Sequence, residues 1–287
     1  MNHTIRLTTP TQSRPRLQPW RLPKTAPGWY ASPADLATLA ERFAPISLKQ
    51  MNAVALLNRT DTKFVLTSAQ LLDALAALQP HYQILAVHGR RLNHYRTLYF
   101  DTPDFALYHM HVNGRANRYK VRSREYTDSR LSFLEVKHKT SKGRTLKERI
   151  PTYQPLAWMT CEAENWLQDV FPYDSRALEP KLWNTFTRLT LVSHQHCERV
   201  TLDVDLTFYA AGQVWQPGNI VIAELKREAA HRVSLFLAQM RAQKIHPRGF
   251  SKYCTGVSML YDQVKKNALK PRLLWIEKMN RGATCHE

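Results

Sequence analysis

The strongest constraint in this chain is a row of cations at every second position: Arg118, Lys120, Arg122 and Arg124, within Asn117-Arg-Tyr-Lys-Val-Arg-Ser-Arg-Glu-Tyr126. In an extended strand such residues share one face, about 6.6 Å apart, and no acid interrupts them there. The spacing recurs elsewhere. Glu135, Lys137 and Lys139 alternate in one segment, and Thr145, Lys147 and Arg149 in the next. Arg59, Asp61 and Lys63 do so near the start, Asp203 and Asp205 between Leu202, Val204 and Leu206, and Glu224 and Lys226 near the end. Any one of these fits an ordinary half-exposed sheet. Six together fit poorly, because like charges side by side repel unless an anion sits among them. An antiparallel barrel with a polar lumen, its apolar outside clothed by helices, reconciles the pattern. The expected class is α+β.

Charge points the same way. The 287 residues carry 41 Lys and Arg against 23 Asp and Glu, a net +18. Such an excess implies an anionic partner: nucleic acid, an acidic membrane surface or a phosphorylated small molecule. Residues 113–149 hold twelve basic and four acidic residues, net +8, so nearly half the excess falls in segments that read as strands. Nucleic-acid binding would call for solvent-facing cations with exposed stacking aromatics. Period-two clustering favours a lumen instead, and no nucleic-acid partner is expected. At 44% apolar and 22% charged the composition is that of a soluble globular protein. No apolar stretch approaches the ~20 residues of a membrane span, and the N-terminus lacks a secretory signal. A cytoplasmic location is the expectation. Cys161, Cys197, Cys254 and Cys285 show no metal-ligand spacing and read as free thiols.

Along the chain, residues 1–44 read as a proline-rich irregular arm with a short helix at about 32–43, capped by Ser32. A single domain is expected over 45–265, with a peripheral basic tail over 266–287. Residues 59–66 read as a strand, and Thr67-Ser68-Ala69-Gln70 as a capping box opening a helix that Pro80 ends. An antiparallel meander follows from about 94 to 150, with turn signals at 102–104, 127–129 and 141–143. A helical stretch with Trp158 and Trp166 is predicted at 156–169, strands near 186–193, 199–209 and 219–226, and closing helices around 230–243 and 256–266. The tryptophans, Trp183 included, read as packing residues rather than stacking platforms.

A lumen of Lys and Arg suits a chain of phosphates, to which Arg offers paired donors and Lys a point charge. Carboxylates repel phosphate, so Glu135, Asp203, Asp205 and Glu224 make sense as ligands of Mg²⁺ or Mn²⁺ bound with phosphate oxygens. Each also has a structural alternative: Asp203 and Asp205 as partners of arginines, Glu135 as a counter-ion to Lys137 or Lys120.

Seven segments in order carry a family resemblance: Arg-Thr-Asp-Thr-Lys-Phe (59–64), Tyr-Arg-Thr-Leu-Tyr-Phe-Asp-Thr (95–102), Arg-Tyr-Lys-Val-Arg-Ser-Arg-Glu-Tyr (118–126), Leu-Glu-Val-Lys (134–137), Leu-Asp-Val-Asp-Leu-Thr-Phe (202–208), Glu-Leu-Lys (224–226) and Phe-Ser-Lys-Tyr (250–253). Together they resemble the VTC domain, the catalytic domain of polyphosphate polymerases within the triphosphate tunnel metalloenzymes, relatives of the CYTH group. The resemblance implies an eight-stranded antiparallel tunnel barrel that extends polyphosphate from the terminal phosphate of ATP with Mn²⁺ or Mg²⁺. It carries catalytic positions onto Lys63, Arg122, Arg124, Lys137, Lys147 and Glu224. Phosphate-binding positions fall on Arg188, Ser251 and Lys252, with Arg59, Arg96, Arg118, Lys120, Lys139, Arg149 and Lys226 as further candidates. Glu224 matches the metal-binding glutamate. Three positions depart from the pattern. The first strand offers Arg59-x-Asp61-x-Lys63 in place of Glu-x-Glu-x-Lys, Phe186 replaces a tyrosine, and Gly249 replaces a lysine that Arg248 could supply. Hydrolysis of tripolyphosphate or nucleoside triphosphate, and non-catalytic polyphosphate binding, remain as alternatives. ATP and inorganic polyphosphate or triphosphate are the expected partners, with room for a membrane-protein partner.

Overall fold

A computed structural model describes residues 33–53, 59–228 and 233–283, without the side chains of 33, 52, 53, 59 and 281–283. The arm over 1–32, with its expected Ser32 cap, lies outside the described residues, as do residues 229–232 at the expected start of a closing helix. The first elements are α1 (Pro33–Glu41), β1 (Ala44–Ile46), α2 (Leu48–Ala53), β2 (Arg59–Leu66), α3 (Ser68–Leu78), β3 (Tyr82–Leu85), β4 (Asn93–Asp101) and α4 (Ala106–Val112). The meander is β5 (Arg118–Tyr126), β6 (Leu131–Lys139) and β7 (Thr145–Thr152), followed by α5 (Cys161–Val170). Then come β8 (Glu179–Ser193), β9 (Glu198–Ala210), β10 (Gln213–Trp215), β11 (Val221–Glu228), α6 (Leu235–Ala242), α7 (Lys252–Leu260) and α8 (Lys270–Ala283).

One sheet organises the molecule. Its main path runs β2-β11-β9-β8-β4-β5-β6-β7, antiparallel at every step. Among the described residues no ladder joins β2 to β7, so the eight strands form a curled half-barrel. The short strands β1, β3 and β10 extend it from the side. Period-two alternation sends one set of side chains out and the other in. Outward-facing Phe64, Leu189, Val200, Leu202 and Leu225 pack under α1, α3 and α6. Outward-facing Leu98, Val121, Leu134 and Val136 pack under α5. The helices therefore clothe the convex face, where the apolar halves of the strands lie.

One end of the concave side is filled differently. Phe186, Leu206 and Phe208 meet Tyr253, Cys254 and Val257 of α7, with Ile276 of α8 in the same cluster. Gly256 stands mid-helix because α7 presses so closely on the sheet: a Cβ there would lie 2.6 Å from Phe208 Cδ1 and 2.7 Å from Leu182 Cδ2. The segment read as a peripheral tail thus forms α8 and buries Ile276.

Several local readings hold. Thr67 and Gln70 form the expected capping box of α3, and the meander lies at the expected place. Others shift. Thr160 accepts from Ala163 N, which starts α5 at Cys161 and leaves Trp158 exposed rather than packed. Strand β8 begins seven residues before the expected 186, since its first half pairs with β4 across a bulge near Pro180. The closing helix predicted at 256–266 runs instead over Lys252–Leu260, because Ser251 caps it. Helix α4, which the alternating pattern hid, interrupts the meander. Its N-terminal amides at Leu107 and Tyr108 donate to Asp101, which also accepts from Thr102 N.

Candidate functional site

Strand register turns rows of alternating charge into rungs across the concave face. Lys120 of β5 stands opposite Lys137 of β6, and Lys137 opposite Lys147 of β7. Three ammonium side chains therefore lie abreast. The next rung on one side is Arg122, Glu135 and Arg149, and the next on the other side places Arg118 against Lys139. Directly opposed like charges destabilise a sheet, so the chain maintains the lysine rung against a cost.

Neighbouring contacts relieve that cost only in part. Lys147 reaches Glu135 Oε1 at 2.5 Å, and Lys120 donates to Ser251 Oγ at 3.0 Å. Among the described residues Lys137 has no ion-pair partner, and its side chain stays accessible. Desolvation within the curled sheet, with the charges of Lys120 and Lys63, pushes its ammonium down to about 8. Arg124 is 7% exposed and also lacks a carboxylate partner. It donates to Thr97 Oγ1 at 3.1 Å and lies over the rings of Tyr95 and Phe186, at 5.6 and 5.8 Å. Burial, then the charge of Arg122, lowers its guanidinium.

Three of the inner-face carboxylates are each held between two cations, while Asp61 lies 3.8 Å from Lys226. Glu135 accepts from Arg122 Nε at 2.7 Å and from Lys147. Burial alone would raise it, but Arg122, Arg124 and Lys147 together draw it down to about 2. Asp203 accepts from Arg188 at 2.5 and 2.8 Å and from Lys252. Glu224 takes Lys63 on Oε1 at 2.8 Å and Lys226 on Oε2 at 2.7 Å. For both, burial opposes ionisation and the paired cations overcome it, leaving each carboxyl below its usual range. Lys252, by contrast, is pushed down to about 8, burial outweighing Asp203.

Most of the predicted residues converge here. Lys63, Lys120, Arg122, Arg124, Lys137, Lys147, Arg188, Lys226 and Lys252 share the concave side with Glu135, Asp203 and Glu224. Ser251 joins them as the N-cap of α7, accepting from Cys254 N. Arg118, Lys139 and Arg149 lie on the same faces toward the rims; Arg118 donates to Arg115 O, and Arg149 lies 4.5 Å over Phe133. The side chain of Arg59 lies outside the described residues, although its backbone pairs with Glu228.

Two predicted residues are not brought together with the rest. Arg96 falls between inward-facing Tyr95 and Thr97, so it points outward, pairs with Glu125 at 2.9 Å and lies over Trp183. Asp205 sits at a bulge in β9 with φ 51° and is exposed. One extra residue reverses the alternation, so Asp205 does not share the face of Asp203. Sequence reasoning passed over Tyr99, yet it stands opposite Arg122 on the inner face. Burial would raise its hydroxyl, but Arg122, Arg124, Lys120 and Lys252 outweigh that and lower it. Period two from the neighbouring Tyr95 and Thr97 was the signal that could have found it.

A family profile described as the VTC domain matches residues 58–261. The chain belongs to the VTC domain family. No curated protein matches at a significant level. Among solved structures this VTC domain is similar to a candidate adenylate cyclase from Bacillus halodurans, at 13% identity over 71% of this chain and 98% of that one, TM-score 0.46. It is also similar to a candidate adenylyl cyclase from Hippeastrum with dominant triphosphatase activity, at 16% identity over 69% and 95%, TM-score 0.45.

The candidate metal ligands on the inner face of this VTC domain are its carboxylates. Among the described residues no three His, Cys, Asp or Glu side chains converge, and both Glu224 oxygens carry ammonium partners. That donor set fits a hard divalent ion only when phosphate oxygens complete its shell, the usual manner of Mg²⁺ with one or two carboxylates. Among the described residues no helix is long and apolar enough to cross a membrane.

Proposed function

We propose that the concave face binds a linear phosphate chain and that the protein transfers the terminal phosphoryl group of ATP onto it, building polyphosphate with Mn²⁺ or Mg²⁺. The observation that carries this reading is the Lys120–Lys137–Lys147 rung, beside the buried Arg124, with too few carboxylates to neutralise it. Membership of the VTC domain family adds the expectation of phosphate-chain chemistry. A string of phosphates with a charge at each unit matches rungs of cations spaced along adjacent strands, and each charge-assisted contact would also lift the like-charge repulsion.

In this reading Arg122 and Arg124 hold phosphoryl oxygens as planar donors, and the lysine rung neutralises the chain beside them. Transfer breaks the bond between the γ-phosphorus and its bridging oxygen to ADP. It forms a bond from a terminal polyphosphate oxygen, so ADP leaves and the chain lengthens by one unit. Lys63, Lys226 and Lys252 would turn from their carboxylates to phosphate oxygens as the anion enters. Glu224, freed of one ammonium, would hold the divalent ion, which supplies charge neutralisation at the transferring group. Fixed cations in a curled, partly desolvated face stabilise the developing charge with little reorganisation.

The test is purified protein with ATP and Mn²⁺, read in parallel for polyphosphate on a gel and for orthophosphate. A ladder of polyphosphate is expected. Orthophosphate alone would replace transfer with hydrolysis, and tight tripolyphosphate binding without either product would make this a binding module.

A further inference from the structure

A second basic site lies on the opposite side of the sheet. Behind β2 and β11, under α6 and the segment after it, is a cavity of about 520 Å³, within the range that small-molecule sites occupy. Leu237, Ile245 and Pro247 give it an apolar wall, backed by the buried Phe64 and Met240. Arg227, Arg241, Lys244 and His246 surround that wall with basic groups, and no acidic residue is among its lining. None of these residues belongs to the inner face: Thr62 and Phe64 line the cavity while Lys63 between them points inward.

The local backbone supports a built site. Helix α6 ends with Ile245 N donating to Met240 O and Lys244 N to Arg241 O, and Lys244 adopts φ 56°. That left-handed position after a helix is the one glycine usually takes. A lysine there accepts local strain and sets its side chain at the cavity. The chain then passes through His246 and Pro247 to Arg248, whose N donates to Lys63 O at 2.8 Å. The cavity and the inner face thus share strand β2.

We propose that this cavity binds a nucleoside phosphate, its base against Leu237, Ile245 and Pro247 and its phosphates on Arg241, Lys244 and His246. An apolar wall is redundant for a bare phosphate chain, and a basic rim is redundant for an uncharged apolar molecule; one ligand needing both is a flat ring carrying phosphates. The site is independent of the polyphosphate reading, which can fail without it.

The experiment is calorimetric titration of ADP into protein already saturated with inorganic tripolyphosphate, which occupies the inner face. Expected is retained ADP binding in the parent and in Arg122→Ala, and affinity at least roughly tenfold lower in the double variant Arg241→Glu, Lys244→Glu, as losing charge-assisted contacts implies. A second variant, Leu237→Trp, fills the cavity without touching its charges and should block ADP equally. Unchanged ADP affinity in both cavity variants would overturn the proposal. So would loss of ADP binding once tripolyphosphate is present, since phosphate alone would then satisfy whatever site ADP used.

Discussion

Replacing Lys137 with Met removes the middle charge of the lysine rung while keeping its length and apolar stem. The parent ammonium sits at about 8 against an ordinary 10.5. At about 1.36 kcal/mol per unit, that difference sets a ceiling of roughly 3.4 kcal/mol on what the charged form costs the fold. Because the side chain is accessible, solvent screening reduces this to about 1 kcal/mol. Ligand-free Lys137→Met should therefore be more stable than the parent, by about 2–3 °C in melting temperature for a domain of this size. Tripolyphosphate should bind it more weakly, by about 1.5–3 kcal/mol for one lost charge-assisted contact, or roughly 10- to 150-fold. A thermal-shift titration reads both effects, and the stability gain should shrink in high salt. A variant less stable than the parent without ligand, with an undiminished tripolyphosphate shift, would show that Lys137 makes an ordinary surface contact.

Glu224→Gln strips the shared partner from Lys63 and Lys226 and should cost about 1–3 kcal/mol of stability without ligand, below the about 3–5 of a fully buried pair because Lys63 is accessible. Tripolyphosphate should restore that stability while turnover with ATP and Mn²⁺ is nearly lost; a rate near the parent's would make Glu224 a structural counter-ion. Lys137 and Lys252 both titrate near 8 in the folded protein. Tripolyphosphate affinity should accordingly fall as pH rises through about 8 to 9, and binding at pH 8 should take up protons, measurable by calorimetry in buffers of differing ionisation enthalpy. Their folded values lie below the unfolded one, so the unfolded chain binds more protons between about 8 and 10.5 and these groups' contribution to ligand-free stability rises across that window. Gly256→Ala gains about 1 kcal/mol of helix propensity, but its methyl would meet Phe208 and Leu182, both fully buried, at a cost of about 1–3 kcal/mol. A net fall in melting temperature is expected, and a rise would show that α7 can back away from the sheet.

The candidate site was legible wherever a strand kept its period. Arg122, Arg124, Lys137, Lys147 and Glu224 could be placed on one face because alternation is a local backbone property that needs no knowledge of neighbours. It failed at two kinds of place. Arg96 belongs to a recognisable motif, but the alternation set by inward-facing Tyr95 and Thr97 points it outward. At Asp205 a bulge broke the alternation, and bulges depend on how two strands meet. Helix α4 escaped notice for a related reason: Asp101 caps it from a neighbouring strand end, and its seven residues are too few for a helical period to stand out.

Which residues are charged, which alternate and which could share a strand face was settled by sequence alone, because each is fixed within a few bonds of backbone. What the tertiary structure decided was the pairing between strands. Lys120, Lys137 and Lys147 are separated along the chain by turns, and only register sets them abreast. The same holds for the two-cation clasp on each of Glu135, Asp203 and Glu224, for Ser251 and Lys252 arriving from α7, and for the basic cavity behind β2. Charge repulsion and ion pairing act through space over a few ångströms, and those distances exist only once the sheet has curled.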